Sequence, residues 1–334
     1  MTRTPGKSVL IVGGYGLVGS HAARLLRRHH PATNIAIAGR HPERGETLVT
    51  ELQQIASGPG TGDIELMNID VSQPIRTPLD RYDVVVVAVP DPKRHLTRAA
   101  LAHNTTVVPI SEMADEIAPG MALTAAHGGG TYIAAGHWQA GVVTLTTVNM
   151  AQRFDRVDAV TMTAIFDPAD PVGPASADDA DHMLGEAMVR QGGVWTTLNS
   201  RTNPRRFAVD GDDAEVVPIG TLDVPALAAV TDADDVRFEF GMGTSVGTRS
   251  GTTASHDIYV ELRGVADGTP TTARVLISGP HGGTHLTGLG VFLLTEHLLT
   301  AGTTPGWHLP ESIMDAHTAV ERAVELGVSI VDLD

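Results

Sequence analysis

Apolar positions, glycine-rich turns and helix-like segments alternate regularly through the first 136 residues. A β-branched run at 8–12 is followed by a glycine-rich turn and by a segment with apolar residues at helical spacing. The same order returns as a strand at 34–38, a helix at 42–57 and a strand at 64–69. The pattern predicts strand–helix–strand units and hence a parallel sheet with helices on both faces.

The fourth predicted strand, Asp83 to Val89, reads DVVVVAV and is apolar on both of its faces. Such a strand must be covered on both sides, as it is in a parallel sheet flanked by helices. The remaining elements of this region are predicted as helix 92–103, strand 105–110, helix 114–126 and strand 131–135. Residues 1–136 are therefore predicted to form an α/β domain with a six-stranded, doubly wound parallel sheet.

Beyond residue 136, long strands separated by turn clusters replace this alternation. The predicted elements are strands at 157–166, 236–240, 256–262 and 273–278, with one helix at 177–191. We expect residues 137–285 to form an α+β substrate and oligomerisation domain on a largely antiparallel sheet. The final segment, 286–334, is predicted as helices at 286–299 and 315–326 with a terminal strand at 328–331, and we expect its helices to pack back on the first domain.

The turn after the first strand reads Gly13-Gly14-Tyr15-Gly16-Leu17-Val18-Gly19. It matches the GxGxxG pattern of the Rossmann dinucleotide-binding turn, and the strand before it and the helix after it, beginning near Ser20, supply the required context. In that pattern Gly14 permits the tight turn, Gly16 the approach of a pyrophosphate, and Gly19 the close packing of helix on strand. These seven residues are the predicted pyrophosphate site, and a turn that has lost its cofactor is the alternative.

The second predicted strand ends in Gly39-Arg40, where NAD enzymes usually place an Asp or Glu for the ribose 2′-hydroxyl. The guanidinium of Arg40 can donate two hydrogen bonds to a 2′-phosphate, with Arg44 near enough to assist. We therefore expect NADP(H) as the cofactor and consider NAD(H) the less favoured one. In the alternative interpretation Arg40 is solvated or stacks on adenine, and Glu43 is a displaced ribose ligand.

Two further loops are expected at the cofactor site. Asp70 closes the third strand and either contacts the adenine side or forms a turn. Val89 and Pro90 end the fourth strand, where the backbone either approaches the nicotinamide ribose or makes a plain strand-to-helix turn.

Five segments resemble the saccharopine dehydrogenase-like (saccharopine reductase-type) oxidoreductases: GGYGLVGSHAARLL, IAGR, DVVVVAVP, VLISGP and PGWHLPESIMD. The resemblance implies an NAD(P)(H)-dependent enzyme that makes or breaks a carbon–nitrogen bond by reducing an imine formed from an amine and a carbonyl compound. Many relatives carry a Gly-x-x-Pro-Gly turn after the sixth strand, where this chain has Gly136-His137-Trp138-Gln139-Ala140-Gly141. This departure leaves the substrate open.

His137 and Trp138 are the predicted catalytic residues, because ligands of doubly wound sheets bind beyond the carboxyl ends of the strands. His137 could exchange the proton that accompanies hydride transfer, and Trp138 could wall the substrate pocket. A structural histidine and a core tryptophan are the alternatives.

Three other groups of polar residues have the composition of a possible site. Ser255-His256-Asp257 cannot form a hydrolase relay, since neighbouring side chains on a strand point to opposite faces. His281 and His285 could ligate zinc, but a loop with two ordinary histidines is favoured and no metal site is predicted. The third group is a cluster of arginines, which could hold a substrate carboxylate or could lie on the surface: Arg201, Arg205 and Arg206.

Composition narrows the function classes. The 334 residues carry a formal net charge of −16 and no Lys/Arg run of the size needed to bind phosphate backbones, which argues against a nucleic-acid partner. Cysteine is absent, which excludes disulfides and thiolate chemistry. With neither a signal peptide nor a membrane span recognisable in the sequence, we expect a cytoplasmic homodimer that acts on a small-molecule substrate. A reductase of C=C or C=O bonds and a non-catalytic NADP(H) sensor are the competing functions.

Overall fold

The chain folds into two units, each built on its own β-sheet. The computed structural model describes residues 6–173, 184–209 and 212–333. The first unit comprises Met1–Gly136 and Gly288–Met314, and the second comprises His137–Thr287 and Asp315–Asp334. The C-terminal segment that the sequence groups together is therefore divided between the two units.

The helices and strands have the following bounds. From the N-terminus to residue 133 they are β1 Ser8–Val12, α1 Leu17–His29, β2 Asn34–Gly39, α2 Glu46–Ile55, β3 Ile64–Asn68, β4 Val84–Val87, α3 His95–Ala102, β5 Thr106–Pro109, α4 Ala118–His127 and β6 Thr131–Ile133. They continue with α5 Val142–Ala151, β7 Arg156–Phe166, β8 Glu186–Gln191, β9 Val194–Asn199, β10 Arg205–Val209, β11 Asp212–Pro218, α6 Asp223–Thr231, β12 Asp235–Met242, α7 Val246–Arg249, β13 His256–Ala266 and β14 Thr269–Gly279. The last elements are α8 Gly283–Thr300, β15 Gly306–His308, α9 Pro310–Ile313, α10 Ala316–Glu325 and β16 Ser329–Leu333.

The sheet of the first unit is entirely parallel, with the order β15-β6-β5-β4-β1-β2-β3. Its central strands β1 and β4 are apolar on both faces, and residues 9–12 and 84–87 are at most 1% exposed. The predicted doubly wound parallel sheet is confirmed. A seventh strand, β15, extends it beyond the six predicted, because three residues without an apolar run gave no strand signal.

The sheet of the second unit has the order β10-β11-β12-β7-β13-β14-β16, with β8 pairing to β12 and to β9. Only the pair β7–β12 is parallel among the pairings of the described residues. The predicted α+β class with a largely antiparallel sheet is confirmed. In the part of the chain that the structure describes, no helix combines the length and hydropathy needed to cross a membrane.

The helix predicted at 177–191 is wrong over its last six residues, which form β8; residues 177–183 lie outside the described ranges. Helix-favouring residue types at 186–191 suggested a helix, but Ala187 and Val189 are both fully buried at strand spacing. A hairpin joins β8 to β9 through Gly192 and Gly193, which both have positive φ. Tertiary pairing therefore overrides local propensity here.

Helix α1 lies close against the turn that precedes it, and Gly19 makes this possible. A Cβ atom at Gly19 would lie 2.5 Å from the carbonyl oxygen of Gly13 and 2.7 Å from the Cα of Gly14. Both contacts are to backbone, which cannot rotate out of the way as a side chain can. The packing of α1 on the sheet therefore depends on a residue without a side chain at this position.

We predict that Gly19→Ala lowers the free energy of unfolding by about 1–3 kcal/mol, because the added methyl group overpacks the turn. Urea unfolding of the purified protein measures this. Gly16→Ala is the matched control, since a Cβ there would contact only the Gly13 oxygen, at 3.1 Å. Equal stability of the Gly19 variant and the parent protein would contradict the packing argument.

Candidate functional site

The glycine-rich turn joins β1 to α1 at the carboxyl end of the first sheet. Gly13 has φ +84, and a Cβ there would lie 2.6 Å from the carbonyl oxygen of Ala88. The left-handed position is thus Gly13, whereas the sequence assigned the tight turn to Gly14. At Gly14 a different contact excludes larger residues, because a Cβ atom there would lie 2.8 Å from the carbonyl oxygen of Ile11.

Helix α1 begins at Leu17, three residues before the predicted start near Ser20, and Gly16 is its N-cap. No side chain caps this end, and Gly16 and Leu17 are both exposed. The first N–H groups of an α-helix have no acceptor within the helix and carry the positive end of its dipole. With no Cβ on Gly16 in the way, an anionic pyrophosphate fits this helix start.

Tyr15 fixes the end of β2 beside this turn. A Cβ at Gly39 would lie 2.3 Å from the Tyr15 hydroxyl oxygen, so the phenol lies directly over Gly39. The same hydroxyl accepts a hydrogen bond of 3.0 Å from the backbone N–H of His41. Tyr15 therefore holds the backbone on both sides of Arg40.

Arg40 and Arg44 are both exposed at the end of β2. Asp70 forms a turn, in which its carboxylate accepts the N–H of Ser72 at 3.0 Å. Hydrogen bonds from Ser72 lower the pKa of Asp70, and the guanidinium of Arg40 lowers it further. Arg40 and Asp70 are thus close enough to interact electrostatically, and the contact of Asp70 with adenine remains a prediction.

The loop after β4 lies against the glycine turn. A Cβ at Gly13 would lie 2.8 Å from a methyl carbon of Val89, and Pro90 is exposed beyond it. The predicted pyrophosphate residues and the predicted nicotinamide loop are therefore neighbours within the first unit. Their contact with a nicotinamide ribose remains a prediction.

A buried ion pair that the sequence analysis missed ties three further segments together at this edge of the sheet. Arg94, at the start of α3, donates to Glu112, which follows β5, and the Tyr132 hydroxyl of β6 donates to the same carboxylate. Burial raises the pKa of Tyr132 to about 12, so the phenol remains a donor. Partners 18 and 20 positions apart leave no local pattern in the sequence.

In the second unit, the predicted catalytic residues lie beside a buried carboxylate. Asp223 opens α6 and is fully buried; it accepts the backbone N–H of Trp138 at 2.7 Å and the hydroxyl of Thr144 at 2.6 Å. Burial raises the pKa of Asp223, and attraction to His137 offsets part of that rise. His137 is only 4% exposed. The sequence predicted His137 and Trp138 as site residues but gave no signal for Asp223, which is 85 positions from Trp138.

The indole of Trp138 packs against three rings. Its ring centroid lies 5.3 Å from that of Phe238, 5.9 Å from that of Phe240 and 5.8 Å from that of His256. The indole N–H donates to Nε2 of His256 at 3.0 Å, and Nδ1 of His256 lies 3.8 Å from a carboxylate oxygen of Asp170. Burial lowers the pKa of His256 to about 4, so the imidazole is neutral near pH 7.

The remaining polar groups do not form the sites that their spacing allowed. Ser255 donates to Asp257 at 2.8 Å while His256 bonds to Trp138, so the three residues form no relay. The rings of His281 and His285 meet edge-on at 4.9 Å. Among the described residues, no group of three or more His, Cys, Asp or Glu is arranged to hold a metal ion.

The predicted arginine cluster does not converge on one point. Arg205 pairs with the buried carboxylate of Glu239, and Arg206 lies 3.3 Å from Asp213. Arg201 is exposed in the turn that precedes them. The carboxylates of the second sheet therefore already occupy two of the three guanidinium groups.

Residues 9–119 match the family model described as the saccharopine dehydrogenase NADP binding domain. The match covers a third of the chain and contains the glycine turn, Arg40 and the loop after β4. No curated protein matches the sequence significantly.

Solved structures support the fold of the whole chain. A provisionally assigned myo-inositol dehydrogenase from Sinorhizobium meliloti 1021 superposes with a TM-score of 0.51 at 11% identity, over 97% of this chain and 99% of that one. A dehydrogenase from Thermotoga maritima, whose assignment is likewise provisional, gives 0.51 at 12% identity, over 97% and 98%. Such identities bear on the fold alone. Together with the matched NADP-binding domain, this fold supports an NAD(P)-dependent oxidoreductase.

We predict that Glu112→Gln lowers the free energy of unfolding by about 3 kcal/mol, because it leaves the mostly buried guanidinium of Arg94 without its counter-charge. Urea unfolding again provides the measurement. Glu65→Gln is the matched control: Glu65 pairs with Arg81 at 2.9 Å, but both side chains are about half exposed, so a loss below about 1 kcal/mol is expected. Similar losses in the two variants would show that the buried ion pair stabilises the fold no more than the exposed one.

Proposed function

We propose that the protein is an NADPH-dependent reductase that acts on an imine formed from an amine and a carbonyl compound. The observation that carries the cofactor part is the uncapped start of α1 beside a strand, β2, that ends in Gly39-Arg40 instead of an acidic residue. The resemblance to saccharopine dehydrogenase-type enzymes supports the imine part.

Charge at the end of β2 favours NADPH. A carboxylate there would repel a 2′-phosphate, whereas the exposed guanidinium of Arg40 can donate two hydrogen bonds to it. Glu43, the other candidate ribose ligand, lies 3.3 Å from Nδ1 of His41. Tyr15 anchors the backbone next to Arg40, so the guanidinium extends from a fixed position.

In the proposed reaction, hydride adds to the imine carbon and a proton to the nitrogen, which gives an amine. When bound, NADPH supplies the hydride from C4 of its nicotinamide. We assign the proton donor to His137, because it follows β6 and interacts electrostatically with the buried carboxyl group of Asp223. Trp138 is the proposed wall of the substrate pocket.

The decisive assay follows the nicotinamide absorbance with panels of amines and carbonyl compounds, alone and in combination. Oxidation of NADPH only when both partners are present supports imine reduction. Oxidation with a carbonyl compound or an enone alone would replace it with a C=O or C=C reductase. Tight binding with no oxidation across all panels would indicate an NADP(H) sensor.

We predict that Arg40→Ala raises the Kd for NADPH about 10–100-fold and leaves the Kd for NADH nearly unchanged, because only the 2′-phosphate loses charge-assisted hydrogen bonds. Fluorescence titration of both reduced nucleotides measures this. Arg28→Ala, which removes an equally exposed charge from the far end of α1, should change neither value. Equal losses for the two nucleotides would remove the basis for NADPH preference.

We also propose that the protein forms a homodimer through one face of the second sheet. This face forms a groove of about 650 Å³ that includes Arg205, Arg237, Arg263, Arg274, Glu261 and Tyr259. Glu239 is in contact with Arg205 and Arg237, and Glu261 with Arg263 and Arg274. Because both charges are present in alternation, a two-fold axis can place the arginines of one copy against the glutamates of the other.

Sedimentation velocity tests the dimer. Arg274→Glu places two carboxylates together in this face and should shift the protein to monomer, while the exchange Arg274→Glu with Glu261→Arg should restore the dimer. Arg28→Glu, on the first unit, is the control for net charge. A parent protein that sediments as a monomer at all concentrations would refute the proposal.

A further inference from the structure

We propose that Asp170 and His256 are positioning residues that hold the Trp138 indole in one orientation, with His256 locked as its neutral Nδ1–H tautomer. The inference rests on the proposed function only where it gives Trp138 a place in the substrate pocket. The hydrogen-bond chain itself stands on contacts within the second unit.

The indole of Trp138 fixes which nitrogen of His256 carries the proton. An indole N–H can only donate a hydrogen bond, and it points at Nε2 of His256 from 3.0 Å. Nε2 must therefore present its lone pair. A neutral imidazole carries its single proton on the other nitrogen, so the proton of His256 lies on Nδ1.

The carboxyl group of Asp170 is the group that lies near Nδ1 of His256. Its Oδ2 lies 3.8 Å from Nδ1 of His256 and accepts the backbone N–H of Gly283 at 2.7 Å. Among the described residues, neither His256 Nδ1 nor Asp170 Oδ1 has a hydrogen-bond partner, although both atoms are buried. Because unpartnered buried polar atoms are costly, a small closure that lets Nδ1–H donate to the carboxyl group would give the imidazole the acceptor that it lacks.

The surrounding backbone keeps Asp170 in place. Gly282 has φ +82, and a Cβ there would lie 2.2 Å from Oδ1 of Asp170. A Cβ at Gly283 would lie 3.3 Å from both Asp170 Oδ2 and the His256 ring. The carboxyl group thus fits closely against this glycine pair, and at Gly282 both the positive φ and the short contact disfavour a residue with a side chain.

Burial, more than the neighbouring charges, sets the protonation of His256 and Asp170. Burial lowers the pKa of His256, against a smaller rise from Asp257 on the same strand. Burial raises the pKa of Asp170, and the carboxylates of Asp167 and Asp257 add to that rise. Since imidazolium has no lone pair on Nε2, protonation of His256 must break its bond to Trp138. The fold therefore keeps His256 neutral down to about pH 4.

A fixed indole has a consequence for substrate binding. The backbone N–H of Trp138 is held by Asp223 and its side chain by His256, so the residue is anchored at both ends. If Trp138 walls the pocket, loss of the side-chain anchor lets the wall rotate and weakens binding of the substrate. The chain Trp138–His256–Asp170 then sets KM, while the pyrophosphate site, in the first unit, is unaffected.

Nuclear magnetic resonance of the full-length protein labelled with ¹⁵N at histidine and tryptophan tests the chain without any substrate. We expect the two-bond ¹H–¹⁵N pattern of His256 to show a protonated Nδ1 and a bare Nε2 from neutral pH down to near pH 4. His256→Phe keeps an aromatic ring beside Trp138 but removes the acceptor, and exchange of the Trp138 indole proton should speed up about tenfold. His256→Gln supplies an oxygen acceptor and should restore slow exchange.

The outcomes separate this inference from the proposed function. A His256 ring protonated on Nε2, or indole exchange that is the same in His256→Phe and the parent, would overturn the positioning role. With an active substrate pair, His256→Phe should raise KM while the Kd for NADPH stays constant, and His256→Gln should restore KM. The expected tautomer and exchange rates in a protein that turns over no amine–carbonyl pair would refute imine reduction and leave the hydrogen-bond chain intact.

Discussion

One constraint organises the first unit: the start of α1 must lie close to the end of β1 while no side chain caps its free amide groups. Gly13 allows the left-handed turn beside the loop after β4, and Gly19 lets the helix pack against this turn. Gly16 places no side chain over the helix start. No side chain caps it, so an anion is the natural partner for these N–H groups. The parallel sheet sets this geometry, because the buried residues of its two central strands hold the turn and the loops after them in register.

The second unit uses buried polar groups in a different way. Asp223 and His256 each hold one end of Trp138, and Asp170 stands behind His256. Burying carboxylates and an imidazole opposes folding unless hydrogen bonds and charges compensate. Their concentration around the two residues that follow β6 along the chain is the basis on which His137 and Trp138 are proposed as functional residues.

The sequence was sufficient where the signal is local. Turn, strand and helix periodicity predicted the parallel sheet and the glycine turn, because each of these signals lies within a single strand, turn or helix. It was insufficient where partners are distant: Glu112 with Tyr132, Asp223 with Trp138, and His256 with Asp170 have no spacing that a pattern could detect. It was misleading at 186–191, where helix-favouring residues form a strand because a hairpin and a buried face decide their conformation.

Calorimetric titration of the intact protein with NADPH tests the central claim most directly, since it asks only whether the helix start and its neighbouring guanidinium bind a dinucleotide. We expect saturable heat with one nucleotide bound per chain and weaker binding as salt screens the 2′-phosphate. Absence of heat with both NADPH and NADH, in protein shown to be folded, would contradict the account.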